Sequence, residues 1–166
     1  MADVNDGFMY GLDVFTFNKK ELGYISEEGL AWGGDKPEKV KINAAQVKRG
    51  PVKVITKNSG SQLISFKLIQ LKAENCKDVM GGEAAADGTY TPPTKVSDIE
   101  AVADIKCDSG HTIRIYKGSL SAKPAGNING SEVLALECEL EMLVPDGGGA
   151  LYKIFPPGVS PEAVSE

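Results

Sequence analysis

Three carboxylates stand two residues apart at Glu137, Glu139 and Glu141. On a strand this spacing puts all three on one face, about 7 Å from their neighbours. There each adjacent pair repels by about 0.6 kcal/mol in bulk water, and roughly four times more at an effective dielectric of 20. Such a face must be well solvated, laced with lysine and arginine from neighbouring strands, or turned toward a water-filled space built by several subunits. A hard cation such as calcium could sit there, but the usual loop spacing of oxygen ligands is absent. The remaining reactive side chains are sparse. His111 is the one histidine and stands beside a turn, so it cannot complete a His-rich metal site and reads as a strand-end residue. Cys107 faces it in the hairpin register derived below, but no motif places an Asp or Asn to orient the imidazole, as a cysteine nucleophile requires. The glycine runs at 33–34, 81–82 and 147–149 do not stand between a strand and a sizeable helix, so they cradle no phosphate. The sequence therefore offers no catalytic, cofactor or metal site, and an enzyme is not expected.

The glutamates belong to a long alternating stretch, Glu132 to Val144. Read in twos, Leu134, Leu136, Cys138, Leu140, Met142 and Val144 fall on one side. Val133, Ala135, the three glutamates and Leu143 fall on the other. Alternation of this kind predicts a half-buried strand, here roughly 44 Å long and able to span a whole domain. An edge of that length needs covering or pairing, within the chain or with a sibling molecule.

At 166 residues the chain is sized for one domain, which buries about 70% of its unfolded surface. That domain is assigned to residues 1–157, with 158–166 as a flexible C-terminal tail. No stretch approaches the ~18 apolar residues of a membrane span. The acidic N-terminus lacks the apolar core of a signal peptide. A soluble, cytoplasmically made protein is expected, and no membrane partner. Cys76, Cys107 and Cys138 are odd in number, and two fall on apolar strand faces where cysteine acts as a small buried hydrophobe. The net charge of −5 argues against wrapping nucleic acid by counterion release.

Along the chain, Asp13 to Phe17 reads as a strand, Asn18-Lys19-Lys20 as a turn and Leu22 to Ile25 as the returning partner. Glu27 to Lys39 is rich in glycine and charge around a lone Trp32, which reads as a long connection, with tryptophan lidding the core or anchoring another chain. Val40 and Ile42 suggest a short strand or loop edge before Gly50-Pro51. Two hairpins of one recipe follow. Val52–Lys57 turns through Asn58-Ser59-Gly60 into Ser61–Leu71, pairing Ile55 with Leu63, Val54 with Ile64 and Val52 with Phe66. Ile99–Cys107 turns through Asp108-Ser109-Gly110 into His111–Lys117, pairing Ile105 with Ile113 and Asp104 with Arg114. Between them Lys72–Met80 is the one credible helix, with Gly81 where a C-terminal αL cap belongs. Gly81 to Lys95 reads as a surface loop, and Ala150 to Phe155 as the last strand before Pro156-Pro157. The sum is a mainly β (α+β) fold, an antiparallel β-sandwich or partly closed barrel with one short flanking helix.

The order of an opening strand, a short turn and Glu21-Leu22-Gly23-Tyr24-Ile25, then Ile42-Asn43-Ala44-Ala45-Gln46, resembles the tail tube (major tail) proteins of long-tailed bacteriophages. So do Gly50-Pro51-Val52, the strand into helix from Phe66 to Gly82, and the closing Leu134–Pro157 with its Pro-Asp-Gly-Gly turn. The likeness is one of layout and covers roughly Phe8 to Pro157. It implies a structural protein of the virion tail, phage-borne or prophage-borne and assembled in the bacterial cytoplasm, whose hexameric rings stack into a hollow tube. It further implies tape-measure and tail-terminator partners, and DNA that passes through the lumen without specific binding. The tubes of type VI secretion share the architecture. On this resemblance Glu137, Glu139 and Glu141 are candidates for the lumen wall. The loop reaching the next ring would be Leu30 to Gln46, with Trp32, Asp35, Lys36, Glu38, Lys39 and Gln46 as candidate contacts. The competing class is a monomeric ligand-binding β-barrel whose long loops gate an apolar pocket with convergent polar groups.

Overall fold

The computed structural model describes residues 6–95 and 98–161. In chain order the elements begin with β1 (Leu12–Phe17), β2 (Lys20–Glu21), β3 (Ala31–Gly33), β4 (Glu38–Ile42), β5 (Lys53–Asn58) and β6 (Leu63–Leu68). Helix α1 (Ala73–Met80) follows, then β7 (Glu83–Ala84), β8 (Tyr90–Thr91), β9 (Ile99–Cys107), β10 (Thr112–Ala125), β11 (Ala135–Met142) and β12 (Tyr152–Phe155). The fold is mainly β, antiparallel throughout, with one helix among the described residues.

The principal sheet runs β2-β1-β9-β10-β11-β6-β3, with β12 also paired to β10. Strand β10 ties its two halves together. Its first part, Thr112 to Ile115, lies between β9 and β12, and its second, Gly118 to Ala125, pairs with β11. The register shifts between Ile115 and Gly118, and such an irregularity bends a strand and sharpens its twist. Gly118 sits at the bend because a Cβ there would lie 2.6 Å from Leu140 Cδ1. The bend folds the sheet over on itself. Phe15 on β1 and Phe66 on β6 are four places apart in strand order, yet their ring centroids are 4.9 Å apart. The sheet thus makes a sandwich-like pair of layers and, among the described residues, does not close into a barrel.

Between the layers, Phe17, Ile105, Ile113 and Ile115 meet Ile64, Leu68, Leu136 and Leu140, with Cys76 and Val79 of α1 closing one end. The helix ends at Gly81, which donates its N–H to Lys77 O at 2.9 Å, but its φ of 80° and ψ of −162° lie outside the αL region expected of the cap. The β9–β10 hairpin has the predicted register, Ile105 opposite Ile113 and Asp104 opposite Arg114. Its turn closes with Cys107 N–H donating to His111 O at 2.9 Å.

Four further expectations are corrected. Strand β5 does not fold back on β6. It pairs with β4, setting Val40 opposite Ile55 and Lys41 opposite Val54, while β6 lies between β11 and β3. Strand β6 buries Ile64, Phe66 and Leu68 in register with Leu140, Cys138 and Leu136. That long-range face outweighs a local hairpin with β5, every residue of which is exposed. Second, the 132–144 strand is shorter. Asn129 Oδ1 accepts from the N–H groups of Ser131 and Glu132, holding the chain in a turn, and pairing begins only at Ala135, which lies on the glutamate face but is buried. Third, the return from β1 is two residues long. Asn18 and Lys19 both take positive φ, 53° and 65°, as a two-residue hairpin turn requires. Leu22 then turns into the core and Ile25 bridges Leu68 on β6. Fourth, the 27–39 connection contains β3, and the 81–95 loop contains the β7–β8 pair, tied back by Tyr90 Oη donating to Gly81 O at 2.7 Å. Residues 162–166 of the proposed tail lie outside the described residues.

Candidate functional site

Strand β11 presents Glu137, Glu139 and Glu141 to solvent, as its alternation predicts, and packs Leu136, Cys138, Leu140 and Met142 beneath. The flanking strands grade the face. Glu137 lies between Lys67 of β6 and Lys123 of β10, whose Nζ is 4.0 Å from Glu137 Oε2. Glu139 lies between Ser65 and Ser121, and Glu141 between Leu63 and Ser119. One end of the ladder is therefore neutralised and the other is not. The carboxylates do not converge, and among the described residues no group of three His, Cys, Asp or Glu side chains could hold a metal ion.

The candidate loop residues separate into two places. Trp32 stays with the body on β3, its ring edge-on to Tyr152 at 5.0 Å and its Nε1 donating to Gln62 Oε1 at 3.2 Å. Asp35, Lys36, Glu38, Lys39 and Gln46 run out along a two-stranded arm, β4 and β5, whose tip turns through Ala44 to Val47. Every residue of β4 and of β5 is exposed, so among the described residues the arm stands away from the core. A pinch of two glycines sets its root. Gly60, at φ 76°, passes so close to Asp35 O that a Cβ would overlap it, and Gly34, at φ 118°, stands likewise against Ser61 O. Ser61 N–H donates to Asp35 O at 3.1 Å, and Asp35 N–H to Ser61 Oγ at 3.2 Å.

Sequence reading missed the arm's returning half and its charge. From Asp35 to Asn58 the chain holds seven lysines and arginines against two carboxylates, a net +5, which leaves −10 on the rest. Val40, Ile42 and Ile55 share one face of this basic arm with Lys53, since Val40 pairs with Ile55 and Ile42 with Lys53. A charge count in windows, instead of over the whole chain, would have revealed it.

A third feature is a partly apolar groove of about 580 Å³, lined in part by the turn from Ser26 to Leu30. Ile64, Ile105, Ile113, Met9, Leu30 and Trp32 line it together with Glu27 and Glu28. Ser26, also in the lining, keeps its Oγ buried with no hydrogen-bond partner among the described residues.

The Cys107–His111 pair is not set up as a nucleophile and base. His111 is buried with Nδ1 3.0 Å from Ser109 Oγ. Burial, then the neighbouring charge of Asp108, push the Cys107 thiol up, opposite to the shift a catalytic thiolate needs. Burial pushes Cys138 further, to about 12. Among the described residues no helix is long and apolar enough to cross a membrane.

The sequence matches no protein-family model, and no curated protein aligns with it significantly.

Proposed function

We propose that this chain is a structural protein that assembles with copies of itself into stacked hexameric rings, forming a hollow tube of the phage-tail kind through which DNA passes. The observation that carries the reading is the β4–β5 arm. A two-stranded hairpin is marginal in water by itself, and this one leaves Val40, Ile42, Val54 and Ile55 exposed. An element of that kind is stable when another molecule completes it. The glutamate face supplies the second half of the reading. Glu139 and Glu141, flanked by serines and one leucine, make an anionic, small-residue wall that repels phosphate, so DNA slides past it without adhering. In this role the ends of the tube meet tape-measure and tail-terminator proteins, and the assembly belongs to the virion.

A second reading, a monomeric ligand-binding β-fold, draws on the partly apolar groove and the unpartnered Ser26 hydroxyl. Particle mass in solution followed by negative-stain microscopy separates the two. Rings or tubes support the structural role. A monodisperse monomer at high concentration, stabilised by a small apolar ligand, supports the other.

A further inference from the structure

We propose that the groove lined by the Ser26–Leu30 turn is the socket that receives the β4–β5 arm of a second copy. This rests on the self-assembly reading and names the surface that reading leaves unspecified. Two complementarities carry it. The arm presents an apolar face of Val40, Ile42 and Ile55 with a cation, Lys53, beside Ile42. The groove is lined by apolar side chains, among them Met9, Leu30 and Trp32, and by two carboxylates, Glu27 and Glu28. The charge division extends well beyond the contact, since the arm carries +5 and the remainder −10, so arms are drawn toward the bodies of other copies.

A polyanion would meet the arm's lysines and arginines but leave Val40, Ile42 and Ile55 wet, and the acidic body would repel it. A second copy satisfies both the charge and the apolar surface. The contact is heterologous: the arm of one copy fills the groove of the next, whose own arm remains free for a third. Repetition of such a contact closes a ring or extends a filament, according to the rotation per subunit.

The test is a charge swap read by analytical ultracentrifugation and microscopy. Ile42→Asp, at a solvent-exposed position in the isolated chain, is expected to weaken association by about tenfold or more, the scale of a central interface residue. Glu27→Lys with Glu28→Lys is expected to weaken it too, most strongly at low salt, and adding Lys53→Glu to that variant is expected to restore part of the loss. A photoreactive side chain at position 42 is expected to capture segments 9–12 or 26–32 of another copy. If the wild-type chain stays monomeric, both the assembly reading and the socket fall. Should it assemble with these variants assembling equally well, or with position 42 captured elsewhere, the socket falls and the assembly reading stands. Loss of oligonucleotide retention in the arm variants, with assembly unchanged, would assign the arm to nucleic acid and overturn the socket.

Discussion

Asp104 grips Arg114 across the β9–β10 hairpin through two charge-assisted hydrogen bonds, Nε to Oδ1 at 2.7 Å and Nη2 to Oδ2 at 3.1 Å. The guanidinium side chain is only 7% exposed and the carboxylate 26%. Removing the acid leaves a buried cation short of its bidentate partner, which costs more than the pair contributes. Because Asp104 is partly solvated, the expected loss for Asp104→Ala is about 1–3 kcal/mol, below the range for a fully buried pair. At about 2–4 °C per kcal/mol for a chain of this size, calorimetry should record a Tm several degrees lower. An unchanged Tm would show that Arg114 is held by its other contacts.

This pair was legible in the sequence because its cause is local: a three-residue turn ending in glycine fixes the register, and opposite charges then meet. The 52–71 stretch shows where local reasoning fails. Asn58-Ser59-Gly60 has the same form, and Asn58 Oδ1 does accept from Gly60 N–H at 3.0 Å, but the turn opens onto the arm's root instead of a hairpin. What decides is whether β6 gains more from β5 next door or from β11 seventy residues away. The buried apolar face of β11 wins. Likewise the glutamates and their exposed face are legible from alternation, whereas the arm is half legible, since Val52–Lys57 reads as the hairpin partner of Ser61–Leu71.

Cys138 gives a pH test. Burial raises its thiol from 9.0 to about 12 in the fold, so the folded state favours the neutral form. Its contribution to stability is complete below the unfolded value and is lost as pH rises from about 9 toward 12. Urea midpoints of the wild type should therefore fall across that window more steeply than those of Cys138→Ala, although the variant starts lower because it leaves a cavity. Parallel pH profiles would dissociate Cys138 from the alkaline loss. In native protein at pH 8, Cys76 and Cys138 should also resist a thiol reagent that labels them in urea.

The neck glycines test whether the arm is aimed or merely tethered. Gly60→Ala places a Cβ against Asp35 O at φ 76°, and Gly34→Ala places one against Ser61 O at φ 118°. A left-handed conformation costs an L-residue roughly 1–2 kcal/mol before any overlap. That cost falls at the root of an arm whose two strands are exposed along their length, so Tm should move little. Trypsin, which cuts after the lysines and arginine of 36–57, should nick the variants faster, and assembly should weaken. Equal nicking rates would mean that the arm's direction does not depend on this pinch.

The glutamate ladder predicts effects that differ in sign along one strand. Glu137 has Lys67 and Lys123 beside it, so Glu137→Gln loses exposed pairings and is expected to cost about 0.2–1 kcal/mol. Glu141 has Ser119 and Leu63 beside it, so Glu141→Gln removes repulsion from Glu139 and is expected to be neutral or stabilising by about 0.6 kcal/mol. The difference should shrink at 1 M salt, where exposed charges are screened. If this face lines a lumen, Glu139→Lys with Glu141→Lys should leave assembly intact while tubes begin to retain DNA oligonucleotides that wild-type tubes exclude. Intact tubes of the variant that gain no retention over the wild type would show that the glutamates do not face the lumen.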